Sequence, residues 1–124
     1  MEIIKNILAV GAGSFIGGAA RYLVSLAMKG IGKGYPWATL AVNLVGCLMI
    51  GLLWGLLSRN AAENTSWGLF LTVGLCGGFT TFSTFSKEAL AMLQTGQMWG
   101  FASYIAISVL AGIALVALGY YIAR

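Results

Sequence analysis

Apolar residues run along this chain in four long stretches, separated by short polar or glycine-rich breaks. The stretches are about Ile3–Met28, Pro36–Leu57, Trp67–Leu93 and Met98–Ala123. Each is near the ~20 residues an α-helix needs to cross a bilayer. The first break, Lys29–Tyr35, holds two lysines and three glycines. Ser58–Ser66 is the clearly polar loop, with Arg59 and Glu63, and Gln94–Gln97 is a short turn. Pro36 stands where a first-turn proline is tolerated. Trp37, Trp67, Trp99, Tyr35, Tyr120 and Tyr121 lie at segment ends and suit an interfacial aromatic belt. The pattern predicts an all-α membrane protein, a single domain of four transmembrane helices over residues 1–124.

The third stretch departs from a plain lipid-crossing helix. Its centre reads Gly74-Leu75-Cys76-Gly77-Gly78-Phe79-Thr80-Thr81-Phe82-Ser83-Thr84-Phe85-Ser86. Glycines weaken a helix locally, and backbone freed from the ladder at membrane depth survives only inside protein or beside a water-filled cavity. The spacing therefore predicts a broken third helix that lines something. Small-xxx-small pairs, Gly13/Gly17, Ser14/Gly18 and Gly51/Gly55, predict close helix packing.

Composition sharpens the class. Only 8% of residues are charged and the mean hydropathy is +0.92, whereas soluble domains carry about 25% charged residues. There is no His, so no imidazole relay or His metal site is available. Cys47 and Cys76 both fall in apolar stretches and read as small buried hydrophobes, not a disulfide or metal pair. No cleavable signal peptide is expected. A net charge of +4 is too thinly spread for nucleic acid.

With four spans, Lys5, Arg59 and Arg124 fall on one side and Lys29 and Lys33 on the other, Lys87 being ambiguous. The positive-inside rule gives almost no preferred orientation. Either lipid and partners set one topology, or the protein inserts both ways. So small a chain has little room for a polar pathway of its own, which points to a homo-oligomer.

The acids Glu2, Glu63 and Glu88 are read as lying outside the membrane middle. A proton-coupled carrier generally needs an intramembrane carboxylate or His, so a passive channel is favoured. No acid–base pair or nucleophile–His arrangement suggests an enzyme. Arg21, about two thirds along the first stretch, is an intramembrane charge suited to an anion, or else a residue that snorkels to the interface. Thr39, Asn43 and Cys47 share a face of the second helix. Asn43 brings two amide donors for an anion or for an interhelical bond. Tyr104 and Ser108 share a face of the fourth helix, continued by Gly112 and Val116; the serine either faces an ion or bonds back to its own helix. Phe79, Phe82 and Phe85 recur every third residue and interleave with Ser83, Thr84 and Ser86. A phenyl ring has a positive edge, which meets an anion without trapping it as a full charge does. The glycine break beside them offers carbonyls, which are cation ligands.

These residues carry a resemblance. Gly18-Ala19-Ala20-Arg21, Thr39-Leu40-Ala41-Val42-Asn43 and above all the Gly74–Ser86 string resemble the Fluc (CrcB) family of bacterial fluoride channels, over nearly the whole chain. The resemblance implies an antiparallel, dual-topology homodimer with two fluoride pores in the bacterial cytoplasmic (inner) membrane. It implies that Phe82 and Phe85 line the pores, that Asn43 contributes a donor, and that Ser83, Thr84, Tyr104 and Ser108 form polar tracks. It also implies a structural sodium ion (Na+), not transported, held by the carbonyls of Gly77 and Thr80 from both subunits. Arg21 matches the family's first-helix arginine. Gly112 and Val116 depart from the further hydroxyls that members often carry. The expected function is passive fluoride efflux. The alternative, a small multidrug exporter, requires a first-helix intramembrane Glu that this chain lacks. A purely structural subunit leaves the phenylalanines among hydroxyls unexplained.

Overall fold

A computed structural model describes residues 2–32 and 34–124; Lys33, counted above among the loop charges, lies outside the described residues. Helix α1 spans Glu2–Ala27 and α2 spans Trp37–Arg59. The third span, Ser66–Gln94, is composite. It starts as α3 (Ser66–Leu69), continues as a π-helical segment (Phe70–Cys76), and regains α geometry as α4 (Gly77–Phe79) and α5 (Ser83–Gln94). Helix α6 covers Met98–Ala123. Among the described residues four spans are long and apolar enough to cross a membrane.

The helix ends follow local chemistry. Pro36 is the residue before α2, with φ −82° and ψ 67°, so the helix opens at Trp37. Thr65 caps α3 by accepting the Gly68 N–H at 3.0 Å. Gly30, Gly34 and Gly96 turn the two short loops with φ of 89°, 87° and 78°, a region that favours glycine. The π-helical segment was not expected from the sequence. Within it Thr72 Oγ1 donates to the Gly68 carbonyl at 2.9 Å, a back-bond that a threonine makes to its own helix. The Gly77 N–H reaches back five residues to the Thr72 carbonyl, the spacing that defines a π-helix.

Two helix pairings dominate, α2 with α6 and α1 with the third span. Glycine makes both possible. A Cβ on Gly17 would lie 2.8 Å from Phe79 N, one on Gly74 would lie 2.8 Å from the Val10 carbonyl, and one on Gly78 would lie 2.7 Å from the Ser14 carbonyl. Across the other seam, a Cβ on Gly119 would lie 2.6 Å from both Leu48 O and Leu52 N, and one on Gly55 would lie 2.6 Å from Tyr120 O. Backbones this close gain dispersion contact that larger side chains would prevent. Gly18 has open space around it, so the Ser14/Gly18 pair contributes through Ser14 alone within the chain.

Polar contacts tie the ends. Ser66 Oγ donates to Asn6 Oδ1 at 2.7 Å, and Arg59 donates to the Ala123 carbonyl at 3.4 Å. At the opposite end Tyr35 and Ser103 share a hydroxyl hydrogen bond of 3.2 Å. The small core there is Leu40, Ala89, Met92 and Tyr104, with Phe85 packed against it.

Candidate functional site

The site is built around the point where the third span leaves helical geometry. Thr80 is extended, with φ −84° and ψ 162°, and regular α-helix resumes at Ser83. Such a departure strands backbone donors and acceptors, and each must find another partner in an apolar surround. In a continuous helix the Thr81 N–H would reach the Gly77 carbonyl and the Thr84 N–H the Thr80 carbonyl. Instead Thr81 N–H donates to Asn43 Oδ1 at 2.8 Å, and Asn43 Nδ2 donates to the Thr81 carbonyl at 3.0 Å. The Thr84 N–H donates to Thr81 Oγ1 at 3.3 Å. Thr80 keeps its own N–H and Oγ1 on the Cys76 carbonyl, both at 3.0 Å. The carbonyls of Gly77 and Thr80 are thereby left without their helical donors. Arg21 serves a further released acceptor, its Nε donating to the Gly78 carbonyl at 3.3 Å.

A cavity of about 420 Å³ opens beside this stretch. Gly77, Thr80, Phe82 and Phe85 line it from the third span, Asn43 and Cys47 from α2, and Ser108 from α6. The rings of Phe82 and Phe85 are 5.8 Å apart and inclined at 41°. Phe82 is 78% exposed on the single chain, while Phe85 is half-buried with its ring 4.9 Å from Tyr104. Ser108 Oγ is buried and has no hydrogen-bond partner among the described residues. The serine therefore does not bond back to its own helix, and a hydroxyl is left over in the cavity wall. Cys47 and Cys76 are free thiols that also line this cavity.

A second cavity of about 160 Å³ gathers Arg21, Thr39, Thr81, Thr84 and Glu88. Glu88 is the polar residue that sequence reasoning set aside. Its carboxylate accepts the Tyr104 hydroxyl at 2.9 Å, and Tyr104 is fully buried. The available signal was helical spacing: Thr84 and Glu88 are four apart on α5 and so face the same way. Ser83 is exposed at the start of α5. Thus Phe82, Phe85, Asn43 and Ser108 meet at one cavity, Arg21 and Thr84 at the other, and Thr81 lines both. Tyr104 sits in the core beside Phe85. Gly112 and Val116 turn toward α2: a Cβ on Gly112 would lie 3.3 Å from Cys47 Sγ, and the Val116 backbone lies against Gly51.

Comparison with known proteins gives the family. The family model described as "CrcB-like protein, Camphor Resistance (CrcB)" matches residues 8–120. A protein of Desulfotalea psychrophila named "Fluoride-specific ion channel FluC" is 41% identical over 124 residues, covering 100% of this chain and 96% of that one. Proteins of the same name from Phocaeicola vulgatus and Chlorobaculum tepidum are 43% and 42% identical over 122 residues, covering 98% of this chain and 100% and 97% of theirs. With the match running through all four spans and the non-helical stretch inside the third, this chain belongs to the CrcB family of multi-pass membrane proteins.

Proposed function

We propose that this protein is a fluoride-selective channel that lets fluoride leave the cytoplasm down its gradient. Relatives named fluoride-specific ion channels, similar over the full length, support the choice of ion. The observation that carries the mechanism is the cavity where Phe82, Phe85, Asn43 and the unpartnered Ser108 hydroxyl meet. Fluoride holds its water tightly, so a pore must replace much of that hydration yet bind weakly enough to release the ion. Ring edges and neutral hydroxyls are individually weak donors, and they strengthen where water is scarce. Asn43 commits one amide hydrogen to the Thr81 carbonyl and retains a second. Arg21, Thr84 and the Glu88–Tyr104 pair form a polar antechamber in which the guanidinium attracts an anion.

The exposure of Phe82 supports completion of the pore by a second copy, which we read as an antiparallel, dual-topology homodimer in the bacterial inner membrane. The interrupted third span is read as the broken helix at its centre. A sodium ion fits there on the chemistry of the donors present. Gly77 and Thr80 present neutral carbonyls without helical donors, and no acid lines their cavity to favour a divalent ion. When bound, sodium supplies a fixed positive charge that joins the two subunits' breaks. Purified protein in liposomes loaded with fluoride tests the proposal. Rapid fluoride efflux, with chloride retained, is expected, and liposomes as tight as protein-free ones refute it.

A further inference from the structure

The two carbonyls assigned to sodium are open for a local reason, and both diversions of their helical donors run through one residue. Thr81 gives its N–H to Asn43 Oδ1 at 2.8 Å, takes Asn43 Nδ2 on its carbonyl at 3.0 Å, and takes the Thr84 N–H on Oγ1 at 3.3 Å. We propose that Thr81 is the positioning residue of the cation site. Its hydroxyl caps α5 and keeps the Thr84 donor off the Thr80 carbonyl, while its clamp to Asn43 keeps its own N–H off the Gly77 carbonyl. The inference rests on the sodium reading above. Thr80, one position earlier, contributes differently, because its Oγ1 is engaged with the Cys76 carbonyl and only its main-chain oxygen is offered.

Backbone donors at the break compete for the same acceptors. A backbone N–H at membrane depth does not stay unpaired. Remove the Thr81 acceptor, and the Thr84 N–H turns to the acceptor a helix offers it, the Thr80 carbonyl. That oxygen is then shared between a hydrogen bond and the cation. Valine matches the shape of threonine and lacks the acceptor, whereas serine keeps it.

The test is thermal unfolding of purified, sodium-stripped protein across a sodium series, with ionic strength held by N-methylglucamine chloride. Because a ligand of the folded state stabilises it by mass action, the sodium level giving half of the stabilisation reports affinity. Thr81→Val is expected to raise that level by about tenfold, and Thr81→Ser to hold it within about threefold, a tenfold change corresponding to ~1.4 kcal/mol. Thr81→Ala, smaller and equally without an acceptor, repeats the loss should valine not fold. A merely structural cap lowers the sodium-free melting temperature and leaves the sodium midpoint unmoved, and that outcome for Thr81→Val or Thr81→Ala overturns the proposal. A wild-type protein whose melting ignores sodium overturns the cation reading itself, which separates the two failures.

Discussion

Phe82 and Phe85 show how much a single side chain is asked to do at the residue scale. Both were legible from their three-residue spacing among hydroxyls, and both line the larger cavity. If the ring edge is what fluoride meets, isoleucine keeps the apolar bulk and loses the polarised hydrogens. With ring-edge contacts worth ~1 kcal/mol each, Phe82→Ile or Phe85→Ile is expected to cut fluoride flux per folded protein by roughly fivefold or more. Wild-type flux per folded protein would leave Asn43 and the hydroxyls to carry the ion. Tyr104 has a different weight. Its hydroxyl donates to Glu88 inside the protein, and Tyr104→Phe strands that carboxylate. The expected loss of unfolding free energy is about 1–3 kcal/mol, measured as a lower melting temperature in detergent. Neither Glu88 nor its partner was legible as a pair, because nothing in the sequence announces that α5 and α6 bring residues 88 and 104 together.

At the scale of the element, glycine governs. The small-xxx-small spacing pointed to packing, and Gly13 and Gly17 do lie against the third span, with Gly51 and Gly55 against α6. The spacing alone did not separate a packed glycine from an open one. Gly18 shares the pattern, yet among the described residues a Cβ added there would meet nothing within 4 Å beyond its own turn of helix. Gly17→Val is therefore expected to destabilise the fold by about 1–3 kcal/mol or to prevent assembly. Gly18→Ala tests the same helix where the single chain leaves room; a melting temperature equal to wild type is expected unless a second copy covers that face. Size-exclusion profiles and melting curves of the two variants, side by side, decide this. The π-helical segment belongs to this scale too. It spans Phe70–Cys76, apolar residues and a threonine whose periodicity reads as ordinary helix.

For the whole molecule, the near-even count of positive charges remains the guide. Lys5, Arg59 and Arg124 stand at the end where the Asn6–Ser66 and Arg59–Ala123 contacts tie the spans, and Lys29 stands in the loop at the other. Insertion in both orientations is expected, with tags accessible from each side labelling populations of comparable size. If the channel is an antiparallel dimer, additional lysines placed on one side are expected to bias insertion and lower fluoride flux, because partners of the opposite orientation become scarce. Labelling from one side only would remove dual topology from the account.

The order of residues alone was enough to establish the class of molecule, and it singled out the stretch where the third span departs from regular helix. Four apolar stretches of spanning length leave a membrane little alternative, because only helices and closed barrels satisfy the backbone there. A run of glycines, threonines and phenylalanines inside one of them marks the place where that rule is locally suspended. How the suspension is made tolerable emerges only from the folded arrangement. Asn43 lies 38 residues from Thr81 in the chain, yet its amide takes both the donor and the acceptor that the helix relinquishes there. Arg21, 57 residues from Gly78, takes another. A side chain's spare hydrogen-bonding capacity is written in its residue type, but which stranded backbone group it meets depends on how closely two helices approach. That approach is set by glycine surfaces whose fit exists only in three dimensions.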